Sequence, residues 1–197
     1  MEQTKQIPFR AIALDLDGTL TNHDKVVTPR TRQALLQAES KGAIIILASG
    51  RPTYGIVPVA ECLELEKRGG YILSYNGGNI VNAKTGEKLF SQFLPDAVIP
   101  ILYKYAKEKN HALLGYAGNE IITEMPDDQY AKEESRINKM NIRKVDNPLG
   151  CPGASSYQTA HDGRPYRYDQ GRGRVGRDSR REDGHLPLCP ILLGIGT

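Results

Sequence analysis

The chain has no tryptophan among its 197 residues, and only three each of phenylalanine, cysteine and methionine. Cys62, Cys151 and Cys189 are odd in number and share no ligand spacing, which excludes a disulfide framework or a structural zinc site as a source of stability. Unpaired thiols suit a reducing compartment, and Cys62 reads as a small core residue. His23, His111, His161 and His185 sit in unrelated contexts and make no histidine metal centre. No apolar run approaches the length of a membrane span, and residues 1–8 carry no signal-peptide core, so a soluble, cytoplasmic protein is expected. The net charge of +3 is too small to point to nucleic acid.

These scarcities are unevenly spread. No lysine follows Lys144, and from Gly150 to His185 there is not one leucine, isoleucine, phenylalanine or methionine. Residues 1–149 hold 12 Lys, 7 Arg and 18 acids, whereas residues 150–197 hold 7 Arg, 5 acids and 9 of the 20 glycines. A stretch without large aliphatics cannot supply a core strand or an amphipathic helix, so residues 150–197 are expected to be irregular and disordered. An Arg/Gly-rich segment such as Arg172-Gly173-Arg174 with Arg180-Arg181 could bind a polyanion, but five interspersed acids weigh against it. An abrupt loss of lysine, aliphatics and periodicity at one point is the composition of an out-of-frame translation beginning near residue 149.

What is present in the first half is an alternation of strands and helices, the pattern of an α/β fold with a parallel sheet. Phe9 to Leu16 is a near-continuous apolar run, expected to be a strand covered on both faces. Thr28-Pro29 opens a helix that Gly42 stops, and Ala43 to Ala48 is a second buried strand. A helix over about Thr53–Lys67 leads to a third strand, Tyr71–Tyr75, and Asn79–Val81 with Lys88–Phe90 reads as a hairpin. Further on, Pro95–Lys109 and Asp127–Met140 read as helices around two strands, Ala112–Ala117 and Glu120–Glu124.

The three leading strands end in Asp15-Leu16-Asp17-Gly18-Thr19, Ser49-Gly50-Arg51 and Asn76-Gly77-Gly78. Alternate side chains of a strand point the same way, so Asp15 and Asp17 leave the strand end together while Gly18 lets the chain turn. Ligands of open α/β sheets bind at the carboxyl ends of strands, so the three loops should converge on one crevice. Taken alone, Ser49-Gly50-Arg51 is equally a helix-capping serine with a surface arginine, and Asn76-Gly77-Gly78 is only a turn.

Together these motifs resemble the haloacid dehalogenase superfamily, and within it the Cof-type sugar-phosphate phosphatases. Asp15–Thr19 is similar to that family's first motif, Ala48–Arg51 to its second, and Tyr75–Gly78 to the loop after the third strand, over about residues 8–145. The resemblance implies a Rossmann-like core over residues 1–94, left incomplete, and part of an α/β cap domain over residues 95–149. It further implies that Asp15 is a nucleophile forming an aspartyl-phosphate and that Asp17 is a general acid and base, best served by a pKa raised toward neutrality. Gly18, Thr19, Ser49, Gly50 and Asn76 would hold the phosphoryl group, and Arg51 would contact either substrate or a neighbouring acid. Mg²⁺ would be held by the Asp15 carboxylate and the Asp17 main-chain carbonyl. The substrate would be a small phosphorylated metabolite.

The family's third-motif lysine and fourth-motif acidic pair have no counterpart after the cap. Without the strands that carry them, the first strand should lie at an open sheet edge, a route to self-association, and activity should be weak. Two other functions fit the same residues: a phosphomutase or other phosphotransferase on the same first motif, and a catalytically dead binding protein acting through its tail.

Overall fold

A computed structural model describes residues 10–149 and 151 in full, and the backbone of residues 156–159, 166–169 and 174–177. The chain divides after Gln92 into two compact units.

The first unit is a five-stranded sheet in the order β1-β2-β3-β4-β5. Strands β1 (Ala11–Asp15), β2 (Ile44–Ala48) and β3 (Tyr71–Ser74) run parallel, and β4 (Asn79–Asn82) and β5 (Lys88–Ser91) continue the sheet antiparallel as the expected hairpin. Helix α1 (Pro29–Ser40) crosses from β1 to β2. Its Thr28 cap accepts the Thr31 amide at 3.2 Å, and Pro29 takes a position where no amide hydrogen bond is lost. Leu35 of that helix joins Leu16, Ile45, Leu47, Ile56, Leu63 and Ile72 in one apolar core.

Two expectations change here. The helix foreseen over Thr53–Lys67 is two, α2 (Thr53–Cys62) and α3 (Leu65–Arg68), broken at Glu64, whose φ of 58° is left-handed. Arg32 of α1 enforces the break: its Nε donates to the Cys62 carbonyl at 2.6 Å and its Nη2 pairs with the Glu64 carboxylate, a cation placed at a helix carboxyl end. Nor is β1 covered on both faces, for Ala11, Ala13 and Asp15 are exposed. Among the described strands β1 pairs only with β2 and forms the sheet's edge. Between α3 and β3, Gly70 has a φ of 140°, and a Cβ there would lie 2.6 Å from the Ile45 carbonyl oxygen, so this close approach requires glycine.

The second unit contains α4 (Ile99–Glu108), β6 (Leu113–Ala117), β7 (Glu120–Thr123), α5 (Gln129–Asn138) and β8 (Asn141–Lys144). A short 3-10 turn, Asp96–Val98, precedes α4 because Pro100 suits the start of an α-helix rather than its interior. Val98, Leu102, Ala106 and Leu113 form the apolar cluster under α4.

The tail also departs from expectation. β9 (Ser156–Thr159) pairs antiparallel with β6, completing a sheet ordered β8-β7-β6-β9, and β10 (Tyr166–Asp169) pairs with β11 (Arg174–Arg177). Strand addition at an edge draws on main-chain hydrogen bonds, which need no aliphatic side chain, and Tyr157 and Thr159 favour extended backbone. For the remainder of residues 150–197, the expectations of disorder and of polyanion binding lie outside the described residues.

Candidate active site

The site grows from the carboxyl end of β1. Asp15 pairs in register with Ala48, and Ala48 with Leu73, so the three parallel strands end at one level. Leu16, fully buried, anchors the strand end in the core between the two acids. Gly18, with φ of 79°, turns the chain sharply, and the turn is closed by Leu20 N–H to the Asp15 carbonyl (3.1 Å) and Thr21 N–H to the Leu16 carbonyl (2.9 Å). Thr19 Oγ1 donates to Asp15 Oδ2 at 3.2 Å, leaving an exposed carboxylate steadied by one hydroxyl.

The second and third loops are joined by main-chain hydrogen bonds, and the first is tied to them through the side-chain fork of Arg51 on Asp17. Ser49 N–H donates to the Leu73 carbonyl at 2.9 Å, Asn76 N–H to the Ser49 carbonyl at 3.1 Å, and Tyr75 N–H to the Arg51 carbonyl at 3.0 Å. Tyr75 and Asn76 both adopt positive φ, 50° and 56°, a backbone state that non-glycine residues enter only when their surroundings over-determine it. Buried Ser49 accepts the Arg51 amide on its Oγ at 3.2 Å. Gly50 lies between them, half-buried, and the Asn76 side chain is exposed.

Of the two contacts expected of Arg51, the structure contains the one to a neighbouring acid. Its guanidinium, 3% exposed, grips Asp17 in a fork, Nε to Oδ2 at 2.8 Å and Nη2 to Oδ1 at 2.6 Å, while Nη1 reaches the Gly55 carbonyl at 3.3 Å. Lys25, which the sequence reading passed over, donates from Nζ to the same Asp17 Oδ1 at 2.8 Å. Lys25 stands eight residues past Asp17, and its signal was the turn chemistry of Asn22, His23 and Asp24 before it, which carries no ligand motif. His23 is exposed.

The charge state of Asp17 corrects the expectation of a raised pKa. Burial pushes its carboxyl up, but the hydrogen bonds from Arg51 and Lys25 and their positive charges together outweigh it, holding the carboxyl below the usual aspartate range. Asp17 here is a carboxylate between two cations rather than a stored proton.

The carboxyl ends of the three parallel strands thus gather an exposed acid, an ion-paired acid and two loops linked through their main-chain amides, at the end of the sheet where open α/β folds bind ligands. Residues 12–158 match the family of haloacid dehalogenase-like hydrolases, and the chain belongs to that family, in its Cof-type branch. The match passes the boundary expected at residue 149 and takes in most of β9. A solved haloacid dehalogenase-like hydrolase from Bacteroides thetaiotaomicron superposes with a TM-score of 0.68 at 45% identity, over 72% of this chain and 53% of that one. YxeH of Bacillus subtilis is 30% identical over 141 residues, 70% of this chain and 52% of YxeH. The 5-amino-6-(5-phospho-D-ribitylamino)uracil phosphatase YcsE of the same organism is 31% identical over 78 residues, 40% of this chain and 30% of YcsE. The chain thus spans about half the length, or less, of these relatives.

Proposed function

We propose that the chain carries the phosphoryl-binding half of a phosphatase site for small phosphorylated metabolites, sugar phosphates among them, with Asp15 as the nucleophile. The observation that carries this reading is the hydrogen-bonded union of the Asp15–Thr19, Ser49–Arg51 and Tyr75–Gly78 loops at one end of the sheet. The exposed Asp15 carboxylate attacks phosphorus in line and becomes an acyl phosphate, and the leaving oxygen departs on the opposite side. Gly18 and Thr19 offer main-chain amides, Ser49 an O–H, and Gly50 and Asn76 further polar groups toward the phosphoryl oxygens. The phosphorylated metabolite named for YcsE supports this substrate class.

Among the described residues no group of three or more His, Cys, Asp or Glu side chains stands where it could hold a metal. The hard oxygen donors present nonetheless fit a share of an Mg²⁺ site: the Asp15 carboxylate and the Asp17 carbonyl would hold the ion, with phosphate and water as its other ligands. Bound there, Mg²⁺ supplies positive charge against the phosphoryl oxygens. The Asp17 carboxyl, held by Arg51 and Lys25 below the usual aspartate range, is a poor proton donor to a leaving alkoxide. Acyl and aryl phosphates, whose leaving groups need no proton, are therefore expected to turn over faster than sugar phosphates.

Incubation of the chain with acetyl phosphate and Mg²⁺, followed by acid quench and digestion at acid pH, is expected to show a phosphoryl adduct on Asp15 by peptide mass spectrometry. No adduct, or one on another residue, would overturn the assignment.

The second unit is proposed as part of the cap that selects substrate. Self-association through the open β1 edge is proposed as well, because Ala11 and Ala13 are exposed there and neighbouring Ile44 is 44% exposed. Ala13→Lys, which sets a charge on that edge, should move the chain from oligomer to monomer by sedimentation velocity; an unchanged distribution counts against edge pairing. Cys62 and Cys151 are free thiols, and no helix among the described residues is long and apolar enough to cross a membrane, in keeping with a cytoplasmic setting as part of this proposal.

A further inference from the structure

Asp17 receives more positive charge than it needs. The Arg51 fork already bonds both of its oxygens, and Lys25 adds a second cation to Oδ1. The two cations differ in freedom: Arg51 is 3% exposed and tied to the Gly55 carbonyl, whereas the Lys25 side chain is 29% exposed on a flexible stem. An ammonium has three N–H donors, and among the described residues Lys25 uses one, on Asp17.

The backbone is arranged to deliver that ammonium to the strand end. Lys25 itself is left-handed, φ 61°, a conformation costly to a lysine. It is maintained by Lys25 N–H to the Asn22 carbonyl, Asn22 N–H to the Val26 carbonyl and Val26 N–H to Asn22 Oδ1, each at 3.0 Å. Thr21 and Val27, both buried, pin the two ends of this turn. A loop serving only to connect β1 with α1 has no need of a strained lysine turned back onto the site.

Charge accounting gives the purpose. Before any metal binds, Asp15 and Asp17 balance Arg51 and Lys25, so a phosphoryl dianion would meet no net positive charge unless a cation turned toward it. Resting on the phosphatase reading, we propose that Lys25 is a phosphoryl-contacting residue, its ammonium bridging Asp17 and an oxygen of the bound phosphate. Arg51 meanwhile keeps Asp17 in place.

Inorganic phosphate binding to the full chain in EDTA and low salt, followed by isothermal calorimetry, tests this. Lys25→Met is expected to weaken binding about tenfold or more, and Lys25→Arg to hold it within a few-fold of the parent. In the parent, saturating phosphate should also protect the Lys25 amine from acetylation, a readout that decides the matter should the Met variant not fold. A folded Met variant binding as tightly as the parent, or a parent whose Lys25 is acetylated equally with and without phosphate, overturns the Lys25 contact and leaves the phosphatase reading standing. Phosphate binding to neither protein overturns the Lys25 contact, and the phosphatase reading then stands or falls on the Asp15 adduct formed with Mg²⁺.

Discussion

Replacing Asp15 with asparagine is expected to abolish the phosphoryl adduct outright and, in EDTA, to tighten inorganic phosphate binding about tenfold. Both effects follow from one change of charge. An amide nitrogen or oxygen cannot displace a leaving group as a carboxylate does, so no acyl phosphate forms. Removing one negative charge beside a bound dianion also relieves a repulsion that the neutral set of Asp15, Asp17, Arg51 and Lys25 does not otherwise offset. The fold should be indifferent, because Asp15 is exposed and the Thr19 hydroxyl that donates to it at 3.2 Å can donate equally to an amide oxygen. Adduct formation by mass spectrometry and calorimetric phosphate titration read the two effects separately. An adduct that survives Asp15→Asn would move the nucleophile elsewhere. Unchanged phosphate affinity would place the anion away from the end of β1. The sign matters, since the same titration on Lys25→Met is expected to move the other way.

The sequence made the first unit legible because its signals are local. Alternating apolar runs, the Thr28-Pro29 start and the three loops at strand ends depend on neighbours within a few residues, and the sheet forms with those loops at one end. What escaped depends on distant partners. The break at Glu64 is fixed by Arg32, thirty-two residues earlier in the chain, and a helical pattern across Thr53–Lys67 carries no trace of it. β8 is the short polar run Asn-Ile-Arg-Lys, which becomes a strand by lying parallel to β7, with Arg143 paired to Glu120 at 2.8 Å. β9 likewise exists through β6. At the site, residue types pointed to a phosphoryl centre, but the state of Asp17 was set by Lys25 and by Arg51, which stands thirty-four residues away in sequence. A sequence shows that an acid is present; its proton affinity belongs to what the fold sets against it.

That dependence gives the largest stability effect. Asp17→Asn is expected to destabilise the chain by about 3 kcal/mol at pH 7, the lower end of the cost of breaking a buried ion pair, because Asp17 itself is 27% exposed. The cost falls on Arg51: buried and bonded to the Gly55 carbonyl, its guanidinium would lose the anion that both Nε and Nη2 address. The pH dependence has a definite sign. With its carboxyl held below the usual aspartate range, Asp17 contributes stability that is complete above that range and is lost as the pH falls through the lower, folded value. The gap between parent and Asp17→Asn in urea unfolding should therefore be full at pH 7 and close on acidification below about pH 4. Arg51→Met is the control, since it removes the cation whose desolvation is otherwise unrelieved. The double variant should then be less damaged than the sum of the two single ones, by about 2 kcal/mol, as contacting residues in one ion-pair network couple. Additive losses, or an Asp17→Asn penalty that persists unchanged into acid, would show that the Arg51 fork is not what holds the strand ends together.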